Sequence, residues 1–143
     1  MTSVAHLLHA QGRAVWSIPP DASVYEAIKL MAAKEIGALL VIDGQRLVGI
    51  VSERDYARKV ILQGKSSRDI PVREIMTAKV FYVRPEQTVE DCMALMTAHR
   101  IRHLPVLDDK LVRGVVSIGD LVKAVISEQE VRIQQLEQYI MGR

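Results

Sequence analysis

The chain has 143 residues, 49% of them apolar and 25% charged, with 19 Lys and Arg against 17 Asp and Glu. A chain of this size buries a core unaided, its composition argues against disorder, and its even charge leaves no electrostatic footprint for nucleic acid. No apolar run approaches the roughly 20 residues of a membrane span, the N-terminus MTSVAHLLHAQGR has no secretory pattern, and the lone Cys92 has no internal disulfide partner, so a soluble, cytoplasmic protein is expected.

In chain order, AVWSI is a short β-rich run stopped by Pro19-Pro20, which predicts a first strand. Ser23-Val24-Tyr25-Glu26 has the spacing of a capping box, and Val24, Ala27, Ile28 and Met31 follow the i, i+3, i+4, i+7 rhythm of a buried helical face. ALLVI predicts a second strand, Asp43-Gly44 a hairpin turn, LVGIV a third strand, and Ser52 the start of a second helix bearing Tyr56 and Val60. Residues 64–75, GKSSRDIPVREI, are polar and proline-marked and read as a connection.

The pattern then repeats. At an offset of 65 positions, Pro20 to Asp55 aligns with Pro85 to Asp120 without a gap, with identities that include Val24/Val89, Met31/Met96, Leu39/Leu104, Gly49/Gly114, Ser52/Ser117 and Asp55/Asp120. VFYV ahead of Pro85 is the matching first strand, and Thr88 to Asp91 the matching capping box. Val89, Cys92, Met93 and Met96 form the helical face, which assigns Cys92 to packing rather than redox chemistry. LPVL, the turn at Asp108-Asp109 and the helix from Ser117 complete the copy, and SEQEVRIQQLEQYIMGR, with Ile133, Leu136 and Ile140 on one side, predicts a tail helix that packs on its own module or on a partner.

The expected fold is therefore α+β: two β-α-β-β-α repeats related by a pseudo-twofold axis, plus a C-terminal helix. The expected divisions are 1–66 for the N-terminal segment and first repeat, 67–128 for the linker and second repeat, and 129–143 for the tail.

The duplicated phrase is GIVSERD at 49–55 and GVVSIGD at 114–120. Serine caps the helix and aspartate completes the capping box. A helix N-terminus also presents N–H groups, and a carboxylate there repels phosphate but accepts both hydroxyls of a ribose. Ser52 with Asp55 and Ser117 with Asp120 are the candidate sugar-binding pairs. Cations for a phosphate are at hand in Arg54, Arg58 and Lys59, and in Arg102-His103, which interrupts IRHLPV ahead of a buried strand. Gly37-Ala38 stands at the matched place in the first copy, so the two sites are expected to be chemically unequal.

The repeat, with IGALLVIDGQRLVGIVSERD and IRHLPVLDDKLVRGVVSIGD, resembles a tandem pair of CBS domains, or Bateman module, over about residues 10 to 128. GIVSERDYARKVILQGKSS followed by EIMT is similar to small stand-alone CBS-pair proteins. The resemblance implies an adenosine ligand whose ribose is held by Ser52, Asp55, Ser117 and Asp120, and whose adenine is walled by Ala14, Val15 and Trp16 or by Lys79, Val80 and Phe81. It also implies phosphate contacts near Arg102 and His103, since the nucleotide-sensing subunit of AMP-activated protein kinase carries a His-Arg pair there, in the opposite order.

The leading expectation is a non-catalytic regulatory module that senses energy state, binding AMP, ADP, ATP or NAD(H) in the clefts between repeats and signalling as a homodimer. No Walker motif, GxGxxG or Cys/His metal spacing is present, so neither catalytic nor metal-ligating residues are expected. His6, His9 and His99 read as solvated or packing residues. The alternative is an adaptor that docks an unidentified regulated protein with little ligand dependence.

Overall fold

In the computed structural model, which describes residues 2–141, the chain divides into a first unit, Ala14–Val80, and a second, Met1–Arg13 together with Phe81–Arg143. The chain begins in the second unit with α1 (Val4–Gln11), capped by the Ser3 side chain and ended by Gly12 in the left-handed conformation. Val4 and Leu7 of α1 are buried among Val83, Val89, Leu104, Val116 and Leu121. Grouping residues 1–13 with the first repeat thus does not match the packing, because the apolar spacing of Val4 and Leu7 is satisfied by the second repeat's core.

The first unit runs β1 (Ser17–Ile18), α2 (Val24–Lys34), β2 (Ala38–Asp43), β3 (Arg46–Ser52) and α3 (Glu53–Tyr56). β1 lies parallel to β2, and β2 pairs antiparallel with β3, Ala38 opposite Ser52 and Asp43 opposite Arg46. The turn residues are therefore Gly44 and Gln45, one position beyond the predicted Asp43-Gly44, with Gly44 at φ 65°. The core joins Val24, Ala27 and Met31 of α2 to Leu39, Val41 and Val51 of the sheet and to Val60, Val72 and Ile75.

The second unit continues with α4 (Val89–His99), β4 (His103–Asp108), β5 (Leu111–Ser117) and α5 (Ile118–Ile140). Its core of Val89, Cys92, Met96, Leu104, Val106 and Val116 repeats that of the first unit position for position in the shared helix and strands, and Leu121 of α5 is buried where the matching Tyr56 is only partly so. At the β4-β5 turn Asp109 and Lys110 both have positive φ, 47° and 70°.

The repeats differ in two ways that follow from composition. The strand expected at VFYV is reduced to a single parallel bridge, Val83 with Val106. In the first repeat Ser17 pairs with Leu40 and Ile18 with Val41; Leu40 is matched by Pro105, which has no N–H to donate to a neighbouring edge. The second helices also differ. In the first repeat α3 passes into one π-helical turn, Ala57–Ile61, and ends near Gly64 at φ 68°. In the second, no Gly or Pro interrupts residues 120–141, so α5 is one helix of 23 residues and the tail expected as a separate segment is its continuation.

Candidate functional site

Each copy of the repeated phrase forms one corner, where a strand ends on serine and the next helix begins. In the first unit Asp55 Oδ2 accepts from the Ser52 N–H at 2.9 Å while Ser52 Oγ accepts from the Asp55 N–H at 3.2 Å. In the second, Asp120 Oδ2 accepts from the Ser117 N–H at 2.8 Å and Ser117 Oγ accepts from the Asp120 N–H at 3.2 Å. Both are reciprocal capping boxes. The Glu53 N–H donates to the Gly37 carbonyl at 3.0 Å, and the Ile118 N–H to the Arg102 carbonyl at 2.9 Å. Strand pairing sets Ala38 opposite Ser52 and His103 opposite Ser117, so these corners are tied to the residues just ahead of β2 and β4.

The phrase's glycine is explained by close approach. A Cβ on Gly49 would lie 2.6 Å from Met76 Sδ and 3.0 Å from the Thr77 carbonyl oxygen, and one on Gly114 would lie 2.7 Å from Leu8 Cδ2. The Ile50–Thr77 backbone pair, 3.0 and 2.9 Å, fastens the linker beside β3 two residues before Ser52. Lys79 and Val80 follow this anchor directly.

Both aspartates carry a cation, supplied differently. Lys59 Nζ lies 3.2 Å from Asp55 Oδ1 and donates to the Ile75 carbonyl at 2.8 Å. Arg13 Nη2 donates to Asp120 Oδ2 at 2.6 Å. The carboxylates are mostly buried, with side chains 15% and 14% exposed, whereas Lys59 and Arg13 are 42% and 51% exposed. Alanine 78 stands at the position matching Arg13, and Ala124 at that matching Lys59, so each pair is private to its repeat. Arg13 was not legible as a site residue, since the ion pair spans 107 positions and nothing local marks it.

The other candidates sort as follows. Arg54 and Arg58 are exposed on the turns after Ser52. Arg102 is exposed beside the Asp120 corner, while His103 is half-buried in β4. Burial lowers the His103 pKa from 6.5, with Arg102 and Arg13 lowering it further against the opposing pull of Asp120. At neutral pH His103 therefore offers a ring N–H rather than the positive charge expected of it. Ala14, Val15 and Trp16 are exposed ahead of β1, with Lys34 Nζ 4.2 Å from the Trp16 ring centroid. Phe81 is stacked on His99, centroids 3.7 Å apart and planes at 17°. Trp16 matches Phe81 and Lys34 matches His99 across the repeat, so each of these two aromatic rings has one face covered by the same helix position. His99 is thereby a packing residue.

Cys92 is buried, and burial pushes its thiol up to about 11, which keeps it protonated and inert at neutral pH. Among the described residues no group of His, Cys, Asp or Glu could hold a metal ion, and no helix is long and apolar enough to cross a membrane.

The CBS domain sequence profile matches residues 12–61 and 72–127. The mitochondrial CBS domain-containing protein CBSX3 of Arabidopsis thaliana is 42% identical over 99% of this chain and 73% of its own. The solved structure of a protein with CBS domains from Burkholderia ambifaria MC40-6 is 59% identical, with a TM-score of 0.86 over 90% of this chain and 96% of that one. The CBS domain pair of protein MJ0100, solved in complex with 5′-methylthioadenosine and S-adenosyl-L-methionine, is 27% identical, with a TM-score of 0.80 over 90% and 98%. Proteins of this kind are generally regulatory rather than catalytic. With both repeats matched by one profile and nearly the whole length shared with such relatives, the chain belongs to the CBS-domain family as a small CBS-pair protein.

Proposed function

We propose that this chain is a regulatory module that binds an adenosine-containing ligand, an adenine nucleotide or NAD(H), at the serine-aspartate corners. The observation that carries this reading is the pair of capping-box aspartates, each mostly buried and each held by a cation at 2.6 to 3.2 Å. A carboxylate used only as a helix cap needs no such cation. The binding of 5′-methylthioadenosine and S-adenosyl-L-methionine by the CBS pair of MJ0100 supports adenosine as the recognised part.

In this reading Ser117 and Asp120 accept the ribose hydroxyls in the second repeat, and Ser52 and Asp55 do so in the first. Hydrogen bonds to an ionised carboxylate contribute about 1.5–3 kcal/mol. A ribose on Asp120 competes with Arg13, and the displaced guanidinium is then free for a ligand phosphate, with Arg102 and the His103 N–H alongside. Arg54 and Arg58 serve the first repeat, and the residues 14–16 and 79–81 wall the base. Occupancy is then coupled to the N-terminal segment, because the ligand binds the Arg13-released state better than the Arg13-bound state.

Calorimetric titration with AMP, ATP, NADH and 5′-methylthioadenosine tests the proposal on the wild type and on Asp55→Asn/Asp120→Asn. Asparagine keeps a cap acceptor but removes the charge. Affinity for at least one of these ligands should fall by about tenfold or more in the double variant, corresponding to ~1.5 kcal/mol or more. Undiminished binding by that variant would refute the assignment of the ribose sites.

A further inference from the structure

The two aspartate corners hold their cations differently. Both oxygens of Asp55 are engaged: Oδ2 accepts from the Ser52 N–H at 2.9 Å and from the Ser52 hydroxyl at 3.2 Å, and Oδ1 faces Lys59 Nζ at 3.2 Å. At Asp120 both contacts fall on Oδ2, from the Ser117 N–H at 2.8 Å and from Arg13 at 2.6 Å. Among the described residues nothing donates to Asp120 Oδ1. A ribose hydroxyl therefore finds an oxygen without a donor at the second corner, and none at the first.

The cations also differ in what else they hold. Arg13 and Asp120 line a groove of about 890 Å³ between α1 and α5, so the guanidinium has room to swing aside. Lys59 instead joins two chain segments. Its ammonium donates to the Ile75 carbonyl at 2.8 Å, and no backbone N–H of the described residues donates to that oxygen. Ile75 is 2% exposed and packs in the first core with Val72. Withdrawing Lys59 thus leaves the carbonyl of a buried residue without a donor, a cost that the departure of Arg13 does not carry.

That cost falls on the linker. Ile75 lies between the bond from the Val72 N–H to the Ala22 carbonyl, 2.8 Å, and the Ile50–Thr77 pair. The second repeat has no counterpart, since Ala124 stands in place of Lys59, and its helix is regular where Lys59 occupies the π-helical turn Ala57–Ile61. We propose that Lys59 is a latch on the first corner: ligand fills the Asp120 corner first, and the Asp55 corner only as Lys59 lets go of both Asp55 and the Ile75 carbonyl, loosening residues 75–77. The latch rests on the adenosine reading above, and adds to it an order of filling and a separate output for the first corner.

Calorimetric titration of the full chain with AMP, ATP, NADH and 5′-methylthioadenosine reads the order. A ligand that binds should do so in two steps whose dissociation constants differ by about tenfold or more. Asp120→Asn should remove the tighter step and Asp55→Asn the weaker. Lys59→Met keeps the apolar stem without the ammonium and should tighten the weaker step by about threefold or more, most plainly for 5′-methylthioadenosine, which has no phosphate for the lysine to attract. In the wild type, hydrogen exchange at residues 75–77 should stay at its ligand-free rate through the first step and quicken across the second, a readout that needs no variant to fold. Equal steps, a tighter step that survives Asp120→Asn, no gain in Lys59→Met, or exchange at 75–77 that does not quicken would each overturn the latch and leave the adenosine reading standing. No heat from any of the four ligands would refute that reading, and the latch with it.

Discussion

Replacing Gly49 with alanine tests the packing behind the first corner. Gly49 has an ordinary negative φ, so the substitution carries no backbone strain and its effect is steric. The new methyl would meet Met76 Sδ at 2.6 Å and the Thr77 carbonyl oxygen at 3.0 Å. The methionine end can swing away, but that carbonyl is held by the Ile50 N–H at 3.0 Å, and yielding means loosening the linker from β3. Overpacking of this kind costs about 1–3 kcal/mol, against ~0.4–1 kcal/mol regained because alanine restricts the unfolded chain. The net loss is about 1–2 kcal/mol, or roughly 4 °C in Tm for a chain of this size. Urea unfolding followed by circular dichroism measures it. Gly114→Ala is the control, since the three atoms nearest its methyl all belong to the Leu8 side chain, the first at 2.7 Å; it should loosen α1, seen as faster hydrogen exchange there, with a smaller global loss. A Gly49→Ala protein as stable as the wild type would refute the reasoning.

Arg13→Ala should lower stability by no more than about 1 kcal/mol, because the arginine is half exposed and its pair is screened; a loss of several kcal/mol in chemical denaturation would mean the pair is a structural strut. His103 titrates lower in the folded chain than its ordinary 6.5, so the unfolded chain binds the extra proton as pH falls below that value. Stability should therefore be full above about pH 6.5 and decline below it, and His103→Gln should flatten that part of the profile of midpoint against pH. Cys92 should resist iodoacetamide at pH 7.5 in the folded protein and react on unfolding, as mass spectrometry would show; rapid native labelling would contradict its burial and raised pKa. Leu104→Ala, at a fully buried strand position, should cost about 2–5 kcal/mol, and a cost under 1 kcal/mol would contradict the packing of the second core.

The helical faces and the β2-β3 and β4-β5 hairpins were legible because their signals are local. Val24, Ala27 and Met31, like Val89, Cys92 and Met96, are buried as their spacing predicts. The capping boxes at Ser52-Asp55, Thr88-Asp91 and Ser117-Asp120 form as the four-residue pattern requires. The strand at VFYV failed because its partner, rather than its own sequence, decides: Pro105 withholds the hydrogen bond that Leu40 can supply. His103 was counted as a cation because adjacency to Arg102 is visible in one dimension while the burial that keeps it neutral is not.

By itself the sequence determined the duplicated unit, the helix starts and the two aspartates at matched corners, since period, capping and turn chemistry act over a few residues. The tertiary structure alone decided that α1 completes the second core, that Arg13 reaches Asp120 across 107 positions while Lys59 holds Asp55 from one turn away, and that Trp16 and Phe81 are each covered on one face. Those pairings arise because burial and Coulomb attraction act through space on whichever groups the packed core brings within a few ångströms, and distance along the chain carries no record of that.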